Sequence, residues 1–359
     1  MAQNLTAQQR AALFAQSTRQ HLQMLPKQTA VLGEQVVFTL PKARLLSRIF
    51  LNVKANIKVT HASSTSLACE AFTPYKILRR VTLDLNNGFS PFVIAGKDLA
   101  LYNMLNSNPD LLNATIKGAS ADANDVLNAK AALTASTAGA VNTVEFTLQL
   151  PTTLNQRDPY GLILLQNEST QVTLTADIIT AFTEMFGTAS GYTITLQSLE
   201  VIPMIETFSV PAIKEAFPDL STLKLVSSKT EDFVGNGQNI VKMNVGTIYR
   251  KLMLYVTKAD GTPFEHSDIT SNIELVFNQA DIPYSVNPRL LAAKNTDDYG
   301  QPLPKGVYVF DFSTQGVPNL GGSRDIIDTQ KLTEFWVRFS SNEAGHISVI
   351  SECLATLRA

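Results

Sequence analysis

Apolar and polar positions alternate with a period of two through much of the chain. Val53, Ala55, Ile57 and Val59 fall on one side of a strand and Lys54, Asn56, Lys58 and Thr60 on the other, the pattern of a sheet with one dry and one wet face. It recurs at Val81, Leu83 and Leu85, at Val144, Phe146, Leu148 and Leu150, at Val172, Leu174, Ala176 and Ile178, and at Ile273, Leu275 and Phe277. The strand beginning at Tyr192 keeps its parity through Ile194 and Leu196, then shifts to Leu199 and Val201, which predicts a bulge near Gln197 and Ser198. Trp336 alternates with Phe335 and Val337 and is expected in the core.

The strand layout occurs twice. Residues 34–207 and 208–359 each open with a strand pair, "VVFTLPKARLLSRIFLNVKANIKV" and "IVKMNVGTIYRKLMLYVTK". They close with two more strands, "TQVTLTADI" with "YTITLQSLEVI" and "TQKLTEFWVRF" with "HISVISECLATL". Two all-β domains of similar plan suit a building block that tiles a surface. Asn86-Asn87-Gly88, Gly235-Asn236-Gly237 and Asp260-Gly261 supply residues that tolerate positive φ, so each reads as a hairpin turn. "GKDLALYNML" reads as a short helix. Residues 106–142, poor in aromatics and rich in Ala, Asn, Ser and Thr, read as a long surface insertion with some helix around Asp125 to Thr134.

Residues 1–33 read as an N-terminal arm, with one amphipathic helix from Met1 to Leu25. Thr6 and Gln9 make a capping-box pattern, and Pro26 ends the helix. Ala7, Ala11, Phe14, Thr18, Leu22 and Leu25 follow the helical period along one side, with Arg10, Gln16, Arg19, Gln20 and Gln23 on the other. The apolar stripe is thin, which favours docking on the chain's own barrel or a neighbouring subunit over deep membrane insertion.

Charge adds a second reason to single out this end. Residues 1–60 hold eight basic groups against Glu34 alone, although the whole chain carries a formal charge of only -2. The basic end is either a solvated helix face plus the polar sides of two strands, or a contact for an anionic surface such as lipid headgroups or nucleic acid. The candidate assembly or membrane-facing residues are therefore Arg10, Phe14, Arg19, Leu22, Leu25 and Lys27.

Other chemistry is sparse. The chain of 359 residues is 45% hydrophobic and 17% charged, has no apolar run long enough to span a bilayer and shows no signal-peptide pattern at its start. Cys69 and Cys353 form no disulfide framework, and His21, His61, His266 and His346 are scattered without metal-ligand spacing. His266-Ser267-Asp268 has the residue types of a hydrolytic triad but not the separation a triad needs. Gly235-Asn236-Gly237 lacks the third glycine of a phosphate loop, and Asp84-Leu85-Asn86-Asn87-Gly88 lacks the distal glutamate of a calcium loop. Asp297-Asp298 reads as a solvated loop pair. No cofactor, catalytic group or sequence-specific nucleic-acid platform is expected.

Three segments carry a family resemblance. The opening "MAQNLTAQQRAALFAQ", the stretch "VEFTLQLPTTLNQRDPYGLILLQNESTQVTLTAD" and the strand "LPKGVYVFDF" resemble the major capsid proteins of the tectivirus family, the tailless icosahedral phages with an internal lipid membrane. The resemblance implies a double jelly roll, two tandem eight-stranded sandwiches side by side with an N-terminal helical arm. It implies homotrimers of pseudo-hexagonal outline tiling a virion shell, assembled in the host cytoplasm, with penton and minor capsid proteins as further partners. The arm would face the internal membrane. The competing expectation is a tandem β-sandwich carbohydrate-binding or adhesin module.

Overall fold

The computed structural model describes residues 7–69, 72–86, 88–105, 115–117, 132–154, 160–166, 171–187, 189–218, 220–313 and 326–356. The chain divides into two compact units, residues 1–224 with 356–359 and residues 225–355. Residues 209–224, beyond the 207/208 boundary read from the sequence, stay with the first unit. The Ser209 N–H donates to the Arg19 carbonyl, Val210 and Leu220 pack against the cluster of Phe14, Leu45 and Leu162, and the Lys224 ammonium donates to the Thr153 carbonyl.

In chain order the first unit carries α1 (Ala7–Ser17), β1 (Gln20–Met24), β2 (Gln28–Thr29), β3 (Gln35–Thr39), β4 (Leu45–His61), β5 (Thr65–Ala68), β6 (Leu78–Leu85), β7 (Phe89–Ile94) and α2 (Gly96–Met104). It continues with β8 (Thr115–Lys117), β9 (Ala132–Ala135), β10 (Ala140–Pro151), β11 (Ile163–Leu164), β12 (Val172–Ile178), α3 (Thr183–Phe186) and β13 (Tyr192–Phe208). After β14 (Thr222–Phe233) come β15 (Gly237–Met243), β16 (Ile248–Lys258), β17 (Ile273–Phe277), β18 (Asp281–Val286) and α4 (Pro288–Tyr299). The last strands are β19 (Val307–Asp311), β20 (Ile327–Asp328), β21 (Phe335–Ser341) and β22 (Gly345–Thr356).

In the first unit one sheet runs β1-β13-β4-β10-β8 and the other β7-β6-β12-β3; in the second, β19-β16-β22-β14 faces β15-β21-β17-β18. The two units repeat one plan. β4 lies between β13 and β10 as β16 lies between β22 and β19, and β12 lies between β3 and β6 as β21 lies between β15 and β17. β1 holds the place beside β13 that β14 holds beside β22, and the short β11 and β20 pair with the starts of β4 and β16.

From β6 through α2 the repeat reaches single residues, because 278 minus 86 and 295 minus 103 both give 192. Asn86 (φ 59) and Asn278 (φ 49) both sit in the left-handed region that Asn tolerates at tight turns. Their side-chain oxygens accept the backbone N–H of Gln171 at 2.7 Å and of Thr333 at 2.9 Å. Both ladders shift register just before the turn, between Leu83 and Leu85 and between Leu275 and Phe277. Further along, Asn103 and Asn295 are 1% and 0% exposed. Asn103 accepts the Gln149 N–H at 2.7 Å and donates to the Gln149 carbonyl at 2.8 Å; Asn295 does the same to Val309 at 2.9 and 2.8 Å. Each amide thus completes the backbone bonding of one residue of β10 or β19 that a further strand would otherwise supply.

Alternation places the core as read. Val53, Ala55, Ile57 and Val59 are at most 1% exposed, and Val144, Phe146, Leu148 and Leu150 are buried opposite half-buried Glu145, Thr147 and Gln149. In the second unit Leu252, Leu254, Val256, Tyr308, Phe310, Ile347 and Val349 of one sheet meet Val241, Ile273, Leu275, Phe335, Val337 and Phe339 of the other. Edge-on ring contacts, such as Tyr249 to Phe335 at 5.1 Å, join the two sheets. The bulge expected near Gln197 is present, between Leu196 and Ser198.

Several readings are corrected. The helix expected from Met1 to Leu25 stops at Ser17. Trp336 is half-buried on the opposite side of β21 from Phe335 and Val337, since neighbours in a strand point to opposite faces. The turn Gly235-Asn236-Gly237, with Asn236 at φ 57, joins strands of different sheets and not a hairpin. Asp297 and Asp298 lie in α4, where Asp298 pairs with Lys294 one turn away. Residues 132–135 are strand β9 where helix was expected: Asn142, fully buried, accepts the Thr134 N–H at 2.8 Å and donates to its carbonyl at 2.9 Å. Residues 106–114 and 118–131 of the expected insertion lie outside the described residues.

Phe146, 3% exposed and edge-on to Tyr75 at 4.8 Å, has no water to offer a charge. Phe146→Asp should cost roughly 4 kcal/mol or more and abolish folding, while Glu145→Gln, which loses only a 3.9 Å surface contact with Lys54, should leave the urea midpoint nearly unchanged. Asn295→Leu strands one buried N–H and one buried carbonyl, so it should lower stability by about 2–4 kcal/mol in urea unfolding; Asn295→Asp keeps the acceptor but buries a carboxylate with one oxygen against the Val309 carbonyl, so it should cost at least as much.

Candidate assembly and membrane-facing site

The expected cap of α1, Thr6, lies outside the described residues. Its other end is set by Thr18, whose hydroxyl donates to the Phe14 carbonyl at 2.7 Å beside its own N–H at 3.0 Å. A side chain that competes for helical carbonyls favours a stop there. The chain then becomes extended and pairs antiparallel with β13, from Gln20 opposite Phe208 to Met24 opposite Met204, and the Leu25 N–H reaches the Pro203 carbonyl at 2.9 Å. β2 continues along the same strand opposite Glu200 and Val201. The part of the expected helix beyond Thr18 is therefore an edge strand of the first sandwich, and only Ala7–Ser17 is helical.

This change of period redistributes the candidate residues. Phe14, in α1, is 5% exposed and packs with Leu45 and Leu162, its ring edge-on to Phe208 at 5.4 Å. Leu22 and Leu25 would share a face of a helix, but three residues apart in extended chain they point opposite ways. Leu25 is 8% exposed and Leu22 61%. Arg10 belongs to α1, and Arg19 is exposed, its backbone N–H donating to the Ser209 hydroxyl at 2.9 Å. Lys27 is bound: its ammonium lies 2.8 Å from Glu200. That hydrogen bond, reinforced by the charge, holds the Glu200 carboxyl below the usual carboxylate range. Glu206 accepts from Gln20 at 2.7 Å and pairs with Arg48 at 2.9 Å. Sequence reasoning missed Glu200, Glu206 and Ser209, because their partners lie far away along the chain and nothing local marks them.

Two polar clusters elsewhere bind within the fold. The His266 imidazole meets the Tyr308 hydroxyl at 3.0 Å, while Asp268 accepts the Glu265 N–H, so the three neighbouring residues form no relay. Asp311 is enclosed by Lys251 at 3.1 Å, the Tyr299 hydroxyl at 2.7 Å and Ser313. Burial pushes its carboxyl up, but the Lys251 charge and these hydrogen bonds outweigh it and hold it low. Among the described residues no group of three His, Cys, Asp or Glu side chains is placed to hold a metal, and no helix is long and apolar enough to cross a membrane.

No protein-family model matches the chain, and no curated protein matches it by sequence. Solved structures do match. The crystal structure of the major capsid protein of Sulfolobus turreted icosahedral virus superposes with a TM-score of 0.68 at 13% identity, over 94% of this chain and 97% of that one. The capsid of the virus PBCV-1 matches with a TM-score of 0.60 at 10% identity, over 94% of each chain. The major capsid protein P2 of bacteriophage PM2 matches at 0.53 and 12% identity, over 95% of this chain and 98% of that one. A duplicated sandwich that superposes on these chains over nearly their whole lengths has the fold of the double jelly-roll major capsid proteins.

Proposed function

We infer that this chain is a structural major capsid protein. The observation that carries the reading is the full-length correspondence of a duplicated sandwich to capsid proteins. Three copies with two similar sandwiches each present six similar faces, which favours homotrimers of pseudo-hexagonal outline packing into an icosahedral shell. In this reading the shell encloses a lipid membrane, the virion is the site of action, and penton and minor capsid proteins complete the vertices. The N-terminal segment faces the membrane. Arg10 and Arg19 supply the attraction to anionic headgroups, because Lys27 is already engaged by Glu200.

Light scattering of the purified chain should give a stable trimer, and negative-stain images of assembled material should show closed shells; a monomer that binds sugars would overturn the reading. Deleting residues 2–18 removes α1 but leaves β1, so trimers should persist while closed membrane-containing shells are lost.

Headgroup attraction is worth about 1 kcal/mol for each basic group near the surface and is screened by salt. Flotation of trimers with anionic vesicles should fall as salt rises, and Arg10→Gln with Arg19→Gln should remove most of it, with Lys27→Gln adding little. Phe14→Ser unseats α1 from its apolar cluster and should make the segment up to Thr18 protease-sensitive without altering flotation at low salt. Equal flotation of the wild type and the double glutamine variant would count against the lipid contact.

A further inference from the structure

The edges of the sheets are guarded unequally. At β19, and at β10 beyond the three residues that β8 pairs with, the guard is the amide of Asn295 or Asn103. At β18 it is Pro283 in mid-strand. At β3 the Gln28 side chain donates to the outward Val37 carbonyl at 2.8 Å, and at β15 the Lys229 ammonium caps the Lys242 carbonyl. β1, Gln-His-Leu-Gln-Met, ends its sheet with no proline, lysine or acidic residue in it. The Leu25 N–H and the Arg19 carbonyl point to β13. By the alternation of an antiparallel ladder His21 and Gln23 do too, which leaves the N–H and C=O groups of Gln20, Leu22 and Met24 on the open side. On the same three residues Leu22 is 61% exposed and Met24 67%. An open ladder edge beside an exposed apolar pair is what natural sheets avoid unless something pairs with it.

We propose that β1 pairs antiparallel with β1 of a second copy of this chain, about a twofold axis through Leu22. The segment is self-complementary. Centred on Leu22, the register sets Gln20 opposite Met24 and His21 opposite Gln23, and the three open residues of each copy exchange about six backbone hydrogen bonds. Leu22 and Met24 of both copies then gather on one face of the joined sheet beside Met204, which lies opposite Met24 on β13. No like charges oppose one another: Arg19 falls opposite Leu25, and Lys27 is outside the ladder and held by Glu200. The contact rests on this edge alone and does not require a shell; within a shell it would be a twofold contact between neighbouring subunits, separate from the trimer interface.

Cysteine cross-linking of the full-length chain tests the register. Residues opposite each other in such a ladder have Cα atoms about 5.5 Å apart, within the roughly 4.4–6.8 Å that a disulfide spans. Leu22→Cys should therefore form a disulfide-linked pair under mild oxidation, while Gln23→Cys and Met24→Cys, each opposite a different residue, should not. The native Cys69 and Cys353 are buried and keep the background low. Leu22→Lys, on a side chain already in water, should leave the circular dichroism spectrum unchanged and weaken association by at least about tenfold, by opposing two charges and removing two apolar contacts. Equal cross-linking at positions 22, 23 and 24, or unchanged association in Leu22→Lys, would overturn the pairing. So would a Leu22→Lys variant that loses only vesicle binding. Failure to build shells while Leu22→Cys still cross-links would count against the capsid reading and leave this contact standing.

Discussion

A β-sandwich is limited by its edges: inward faces can be covered by side chains, but wherever a strand has no neighbour on one side its backbone groups still need partners. In both units a buried asparagine meets this need, Asn103 for Gln149 and Asn295 for Val309. Each sits in the helix that follows the second strand of a hairpin, so holding the edge also fixes where that helix packs. The hairpin turns are held the same way, by Asn86 and Asn278, whose positive φ and side-chain acceptors serve one geometry in two places. Asparagine suits both tasks because its amide donates and accepts at one end and its backbone tolerates the left-handed region.

The duplicated plan explains why so few residues need to match. Between β6 and α2 the two units share Asn86 with Asn278, Pro91 with Pro283, Leu99 with Leu291 and Asn103 with Asn295 at one constant spacing. Leu99 and Leu291 are buried at 0% and 2% exposure. Other core positions need only volume and apolarity, which many residues supply. Backbone bonding at a turn or an edge is less forgiving. The same tolerance is consistent with a common fold persisting at identities of 10–13% to the viral capsid chains.

The excess of basic residues near the N-terminus is partly an effect of counting along the chain. In space Lys27 meets Glu200, Arg48 meets Glu206 and Lys54 meets Glu145. Acids from much later strands thus compensate three of the eight basic groups. Exposed pairs of this kind stabilise little, but they lower the charge available to an outside anionic surface, and they leave Arg19 as the more available of the two candidate side chains described there.

Alternation alone was sufficient to identify the long strands around Val53, Val144 and Val172 with their buried faces, the bulge at Gln197 and the doubling of the plan, because a period of two is imposed by local geometry; it did not reveal β1 and β9, or the outward face of Trp336. The resemblance carried by short motifs pointed to the double jelly roll. Local sequence could not decide where α1 ends: Leu22 and Leu25 fit a helical stripe, and only pairing with the distant β13, which sets Leu22 opposite Glu206, turned them to opposite sides of a strand. Nor could it distinguish Asn103 and Asn295 from ordinary polar helix residues, or Lys27 from a free charge, since the partner of each is brought near only by the fold. Period and turn chemistry are written residue by residue; which edge is closed, and by what, is decided only when distant strands meet.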